Sequence, residues 1–106
     1  MIVVVFRARV RAGLSPELEK RAAEQNARML QLGTTMPGFV SYKDFVAEDG
    51  ENVTIVEFET QEHSAAWRDH PEHRAVQQWG REALYSEYQI QVCEVARVSR
   101  FRAQSS

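Results

Sequence analysis

The sequence predicts an α+β fold: a single antiparallel sheet with helices on one face, its elements ordered βαββαβ. Three observations carry this. Apolar residues recur every second position at both ends of the chain and in a central hairpin, and at helical spacing in the segments between. Ser15-Pro16 and His70-Pro71 stand where helices can begin. In a chain of 106 residues, long enough for one domain, right-handed crossovers put the first strand beside the third and both helical segments on one side.

Ile2 to Arg11 reads as the first strand, β-branched at its start and then alternating Phe6, Ala8 and Val10 against Arg7, Arg9 and Arg11. Val3 and Val5 share the arginine face, which is therefore apolar at one end and charged at the other. After a turn at Ala12-Gly-Leu-Ser15, Ser15 can cap a helix, Pro16 suits its first position and Glu17 suits the positive end of the dipole. Leu18, Ala22, Met29 and the pair Ala23 and Leu30 form its apolar stripe, and Gly33 is the expected stop. Met36-Pro37-Gly38 is a turn.

Phe39 to Val46 and Asn52 to Glu59 read as the next two strands, joined by the polar turn Glu48-Asp-Gly50-Glu. Val53 and Ile55 lie on one face of the later strand, Val56 and Phe58 on the other, so both faces call for cover. Thr60 caps the second helical segment, which Pro71 interrupts near His70. A new helix from Pro71 to about Leu84 would bury Val76, Trp79, Ala83 and Leu84. Tyr85 to Arg100 reads as a long last strand. Its apolar phase shifts from Tyr88, Ile90 and Val92 to Cys93 and Val95, which indicates a bulge or two-sided burial. Residues 1–100 form the single domain and 101–106 a flexible tail.

The result is the ferredoxin-like plan. It leaves one sheet face bare, carrying Val3 and Val5, or Ile2 and Val4 in the other register. A second copy packed sheet to sheet would cover it as a two-fold homodimer, and the long last strand could reach across to that partner.

Composition narrows the function classes. Hydrophobic residues are 43% and charged ones 26%, values of a soluble globular protein. A formal net charge of -2 lacks the basic footprint of a nucleic-acid binder. The opening run Met1-Ile-Val-Val-Val-Phe6 is too short for a signal peptide or a membrane span, so the expectation is a cytoplasmic protein without membrane contact. Cys93 is the sole cysteine, which excludes an intrachain disulfide and a multi-cysteine metal site; its apolar neighbours suggest a buried structural thiol.

The chemistry-bearing stretch runs from His63 to His73, with all three histidines and Trp67. His63, Trp67 and His70 fall near i, i+4 and i+7, so they share a helix face if the helix persists to His70. Histidine is the natural base near neutral pH, and tryptophan offers a flat apolar wall and an N–H donor. The plainer alternative is that Trp67 is core and the histidines are surface or capping residues, with the direction of His73 beyond the proline undetermined. A metal site lacks a third ligand on this face, and Pro71 upsets the spacing, so no metal is expected. Arg7 and Arg9 could hold an anionic substrate, but cross-strand ion pairs explain them without a ligand.

The βαββαβ order, the Pro37-Gly-Phe39 turn, the Trp67-x-x-His70-Pro segment and the long Tyr85–Val98 strand resemble the antibiotic biosynthesis monooxygenase family over residues 1–100. The resemblance implies a dimeric α/β barrel with a pocket between sheet and helices in each subunit. It also implies a cofactor-independent monooxygenase that oxidises a small electron-rich aromatic (a quinol, phenol or anthrone) with dioxygen, with Trp67 and His63 or His70 in the pocket. A haem-binding and haem-degrading branch shares the tryptophan, but expects an asparagine in the first strand and a histidine where this chain has Gln77. Phe6, Arg7 and Ala8 supply no such asparagine, so haem is the weaker alternative and no cofactor the expectation. In the quinone-forming branch an asparagine commonly stands one turn before the tryptophan, where this chain has His63. A non-catalytic dimer that binds a small ligand in the same pocket is the third reading.

Overall fold

A computed structural model describes residues 1–104. The elements are β1 (Ile2–Val10), α1 (Pro16–Thr35), β2 (Phe39–Val46), β3 (Asn52–Phe58), α2 (Gln61–Arg68), α3 (Pro71–Trp79), a π-helical turn (Gly80–Leu84) and β4 (Tyr85–Glu94). The sheet has the order β2-β3-β1-β4, with every neighbouring pair antiparallel. This is the ferredoxin-like arrangement.

Local chemistry sets the boundaries. Ser15 Oγ accepts the Leu18 N–H at 3.2 Å, and Thr60 Oγ1 accepts the His63 N–H at 3.2 Å, so both expected caps form. Helix α1 passes through Gly33 instead of stopping there. It ends at Thr35 because Met36, which precedes Pro37, is held extended at φ -73° and ψ 141°. Its buried stripe contains Met29, Leu32 and Gly33, whereas Leu30 is exposed.

One sheet face packs against the helices. Val56, Phe58 and Trp67 form its core, with Val4, Met36, Phe39 and Tyr42 against them. Val4 sits between Val56 and Val92, and Phe6 between Thr54 and Ile90. Alternation sends Val3, Val5, Val53 and Ile55 to the other face, where Val5 lies opposite Ile55, and Val53 opposite Phe45. No element of the described chain covers that face.

The end of the chain departs from expectation. Strand β4 stops at Glu94, opposite the start of β1, and the Val95 N–H bonds to the Met1 carbonyl at 3.0 Å as the last rung. Residues 95–104 continue off the sheet, with Val98 and Phe101 exposed. The radius of gyration is accordingly 15.4 Å, against about 13 Å for a compact chain of this length. The tail expected over 101–106 falls at its last two positions outside the described residues. The irregularity expected near Cys93 lies instead between Arg9 and Val10, opposite Ser86, and the register through Val92, Cys93 and Glu94 is regular. Cys93 is exposed rather than buried, since it pairs with Val3 on the uncovered face.

Candidate functional site

A cavity of about 400 Å³ lies between the sheet and the helices. Its floor is Val4, Phe6 and Val56 of the central strands; α1 contributes Ala22, Gln25 and Met29, α2 contributes Trp67, and α3 contributes His73 and Val76. Ile90 and Val92 of β4 also line it yet are 42% and 53% exposed, so the cavity opens on the β4 side. Val76, Trp79 and Ala83 are correspondingly only half-buried; the interior expected to take them is partly void.

Trp67 is buried, with its ring 5.7 Å from Phe58 and edge-on to Tyr42 at 6.2 Å. Its Nε1 is buried without a hydrogen-bond partner among the described residues. It faces a nook at Gly33, where an added methyl would sit 3.7 Å from both Nε1 and Tyr42 Cδ2. Trp67 therefore gives the cavity a flat wall, and its N–H, expected as a donor to ligand, is turned away.

The expected helix face shared by His63, Trp67 and His70 does not form. Helix α2 ends at Arg68, and His70, at φ -60° and ψ 131°, is pushed out of helical geometry by Pro71. His70 caps α3, its Nδ1 accepting the Glu72 N–H at 3.1 Å. His63 lies over Gly38 with Nδ1 2.9 Å from Thr60 Oγ1. Neither His63 nor His70 lines the cavity.

His73 does. The break at Asp69 and His70 turns α3 back, laying the His73 imidazole on the indole of Trp67 with ring centres 4.1 Å apart. Its Nδ1 is 3.4 Å from the Arg68 carbonyl oxygen. A carbonyl only accepts, so this contact places the proton on Nδ1 and leaves Nε2 as the basic nitrogen. Burial pushes the imidazole below its ordinary range, and the neighbouring His70 adds to the effect. The signal was in the sequence: counted afresh from Pro71, His73 shares a stripe with Val76 and Gly80.

Two phenols complete the wall. Burial, reinforced by the nearby Asp44 carboxylate, pushes Tyr42 well above the usual phenol range and raises Tyr85 as well, so both remain donors. Asp44 is itself held by Thr54 Oγ1 at 2.5 Å and by Asn26 Nδ2 at 3.3 Å. Arg68 is bound to Asp69, whose carboxyl the Arg68 and Arg74 guanidinium groups hold down at about 2. Arg7 pairs with Glu51 at 3.1 Å, and Arg9 with Asp49 at 2.7 Å and Glu87 at 3.4 Å, all outside the cavity. Among the described residues no three His, Cys, Asp or Glu side chains are grouped to hold a metal ion, and no helix is long and apolar enough to cross a membrane.

Known proteins share this architecture. Protein YqjZ of Bacillus subtilis (strain 168), itself uncharacterized, is 27% identical over 97 residues, which are 92% of this chain and 85% of its own. The structure of Rv0793 from Mycobacterium tuberculosis superposes with a TM-score of 0.76 at 17% identity, covering 93% of this chain and 98% of that one. SnoaB, a cofactor-independent oxygenase from Streptomyces nogalater, superposes at 0.73 with 14% identity, covering 92% and 94%. At such identities the superpositions speak for the fold. The sequence pattern speaks for descent, since residues 1–79, from β1 through α3, match the family model for antibiotic biosynthesis monooxygenases. By that match over three quarters of its length, this chain belongs to the antibiotic biosynthesis monooxygenase family.

Proposed function

We propose that the cavity is the active site of a cofactor-independent monooxygenase acting on a small electron-rich aromatic. The observation that carries this reading is His73: a neutral imidazole stacked on Trp67, with its proton fixed on Nδ1 and its basic Nε2 left for a ligand in an apolar cavity.

Such a site suits a reaction in which the substrate supplies the electrons. Nε2 takes the proton of a phenol, or of the methylene that lies across the central ring from an anthrone carbonyl. Tyr42 and Tyr85, held as neutral phenols, donate to the oxyanion that develops. The electron-rich anion passes one electron to dioxygen, the radical pair recombines as a carbon-bound peroxide, and loss of water leaves a quinone. One dioxygen is consumed, one oxygen atom enters the product and the other leaves in water. Trp67, buried beneath His73, backs the apolar wall that keeps water away. The similarity to SnoaB, a cofactor-independent oxygenase, supports the reading. The working form is a homodimer built on the uncovered sheet face, which Val5 and Ile55 make apolar.

Oxygen uptake by chelator-treated protein with hydroquinones, naphthols and anthrones tests it. Uptake should exceed autoxidation and fall about 100-fold or more in His73→Ala, with a smaller loss in Trp67→Phe. His63→Ala and His70→Ala serve as comparators. No uptake across the panel, or an undiminished rate in His73→Ala, overturns the proposal.

A further inference from the structure

The cavity opens on the β4 side, and a phenol that β4 places in its wall there is held by a cation. Tyr88 lines the cavity beside Ile90, its ring 5.3 Å from Phe6 and 5.8 Å from Tyr85. Its hydroxyl accepts from Arg81 Nη1 at 3.0 Å, in a bond exposed to solvent, so both groups stay within reach of a ligand at the mouth. That bond leaves the hydroxyl's own proton and the other guanidinium N–H groups to be given away. Arg7, Arg9, Arg28, Arg68 and Arg74 each form an ion pair with a carboxylate, whereas Arg81 forms none among the described residues. The carboxylates near it in sequence are engaged elsewhere: Glu82 accepts from Gln78 Nε2 at 3.1 Å, and Glu87 pairs with Arg9 at 3.4 Å. Arg11 donates to the Arg81 and Tyr85 carbonyl oxygens at 2.8 and 2.9 Å, which fixes the π-helical turn and brings a second guanidinium to the same corner. Asp44, the carboxylate that acts on Tyr42 and Tyr85, stands on β2 at the opposite edge of the sheet.

We propose that Arg81 and Tyr88 form a carboxylate subsite at the mouth: the guanidinium pairs with an acidic group on the aromatic ligand, and the Tyr88 hydroxyl donates to it. This rests on the cavity as an aromatic site and narrows its ligands to hydroxyaryl carboxylates. Arg81 follows His73 along α3 and the π-helical turn by roughly 12 Å of helix. A ligand whose hydroxyl meets His73 in the interior can therefore present a carboxylate to the mouth across two fused rings. An apolar cavity with no cation at its mouth would prefer a neutral ester to the charged acid. A guanidinium and a hydroxyl aimed at one carboxylate reverse that order, because hydrogen bonds to a charged group are the stronger kind. The positive charge looked for at Arg7 and Arg9 is supplied by Arg81 instead, since those two are held by Glu51, Asp49 and Glu87.

The test is calorimetric titration under nitrogen with three probes: β-naphthol, the hydroxynaphthoic acid with its two groups at opposite ends, and the methyl ester of that acid. The wild type should bind the acid about fivefold to tenfold more tightly than the ester. Added salt should erode that preference and leave the affinity for the ester unchanged. In Arg81→Gln the preference should shrink to about twofold or less. Tyr88→Phe keeps the ring against Phe6 and Tyr85, and should weaken the acid about threefold or more with little effect on the ester. A preference for the acid that survives Arg81→Gln overturns the inference, and so does an affinity for the acid that Tyr88→Phe leaves unchanged. If β-naphthol binds to the wild type but the acid gains nothing over the ester, this inference alone fails. If none of the three binds, the aromatic-site reading fails with it.

Discussion

Substituting Gly38 tests what His63 is for. Gly38 has φ +76°, and a methyl added there would lie 2.2 Å from His63 Nδ1, 2.3 Å from Cγ and 2.8 Å from Cβ. Gly38→Ala therefore carries a left-handed backbone cost of about 1–2 kcal/mol and an overpacking cost of about 1–3 kcal/mol. The imidazole must swing off the turn and release Thr60 Oγ1. The expected loss is about 2–5 kcal/mol, read from urea unfolding midpoints. His63→Ala alone gives up one exposed hydrogen bond and should cost about 1 kcal/mol. In the double variant the two ring atoms that block the methyl are gone and only Cβ remains close, so most of the overpacking disappears and the backbone cost stays. The two changes should couple favourably by about 1–3 kcal/mol. Strict additivity would refute the argument, since it would mean that the ring does not occupy the space a methyl needs. His63→Ala should also keep its oxygen uptake, which separates a turn-packing histidine from a catalytic one.

His73 gives a pH signature. Its folded-state pKa lies below the unfolded value near 6.5, so above that pH neither state binds the proton and its contribution is complete. As pH falls through the unfolded value, the unfolded chain takes up a proton that the folded chain refuses, and stability declines; His73→Phe should flatten this part of the urea-midpoint profile between neutral and mildly acidic pH. Gly33→Ala should stabilise α1 by about 0.5–1 kcal/mol, because the new methyl meets Trp67, Tyr42 and Phe39 at ordinary contact distances of 3.7–3.9 Å; a lower melting temperature would refute that. Ile55→Glu places a charge amid the apolar outer face, opposite Val5, and should convert a sedimenting dimer to monomer, whereas an unchanged sedimentation coefficient would locate the interface elsewhere.

The fold was legible because its signals are local. Ser15 and Thr60 cap where a hydroxyl before a helix should, and the hairpin between β2 and β3 turns where Gly50 permits it. The first and last strands were also clear in outline, but the end of β4 depends on where β1 begins, which is a pairing fact rather than a propensity. Trp67 was legible as a cavity residue in kind. The histidines were not, because a single residue, Pro71, resets the helical frame: counting through it aligned His70 with Trp67, and counting from it brings His73 to the stripe that lines the cavity. The Pro37-Gly-Phe39 turn, read as part of a family resemblance, acquires a physical reason only when His63 is seen packed on Gly38.

Cavity and uncovered face are two consequences of one distribution of apolar side chains. A ferredoxin-like chain this short has a single interior, between sheet and helices. Here that interior is divided: Val56, Phe58 and Trp67 pack one end solidly, and the other end is left open for a ligand. Among the described residues only eight apolar side chains are buried, two of them an alanine and a methionine, which is a small core for a domain that must hold a cavity open against collapse. Helix α3 contributes four cavity residues and buries none completely. The chain keeps a second store of apolar surface on the opposite sheet face, in Val3, Val5, Val53 and Ile55, and nothing within the described residues can bury it. A second copy can, without touching the cavity, because successive residues of β1 point alternately to the two sides. On the proposed reading Val4 and Phe6 face the ligand while Val3 and Val5 face the second copy, so the stability forgone on the cavity side is recovered on the other. On the proposed reading a site of this kind in so small a domain is tied physically to dimerisation, with no catalytic group crossing the interface.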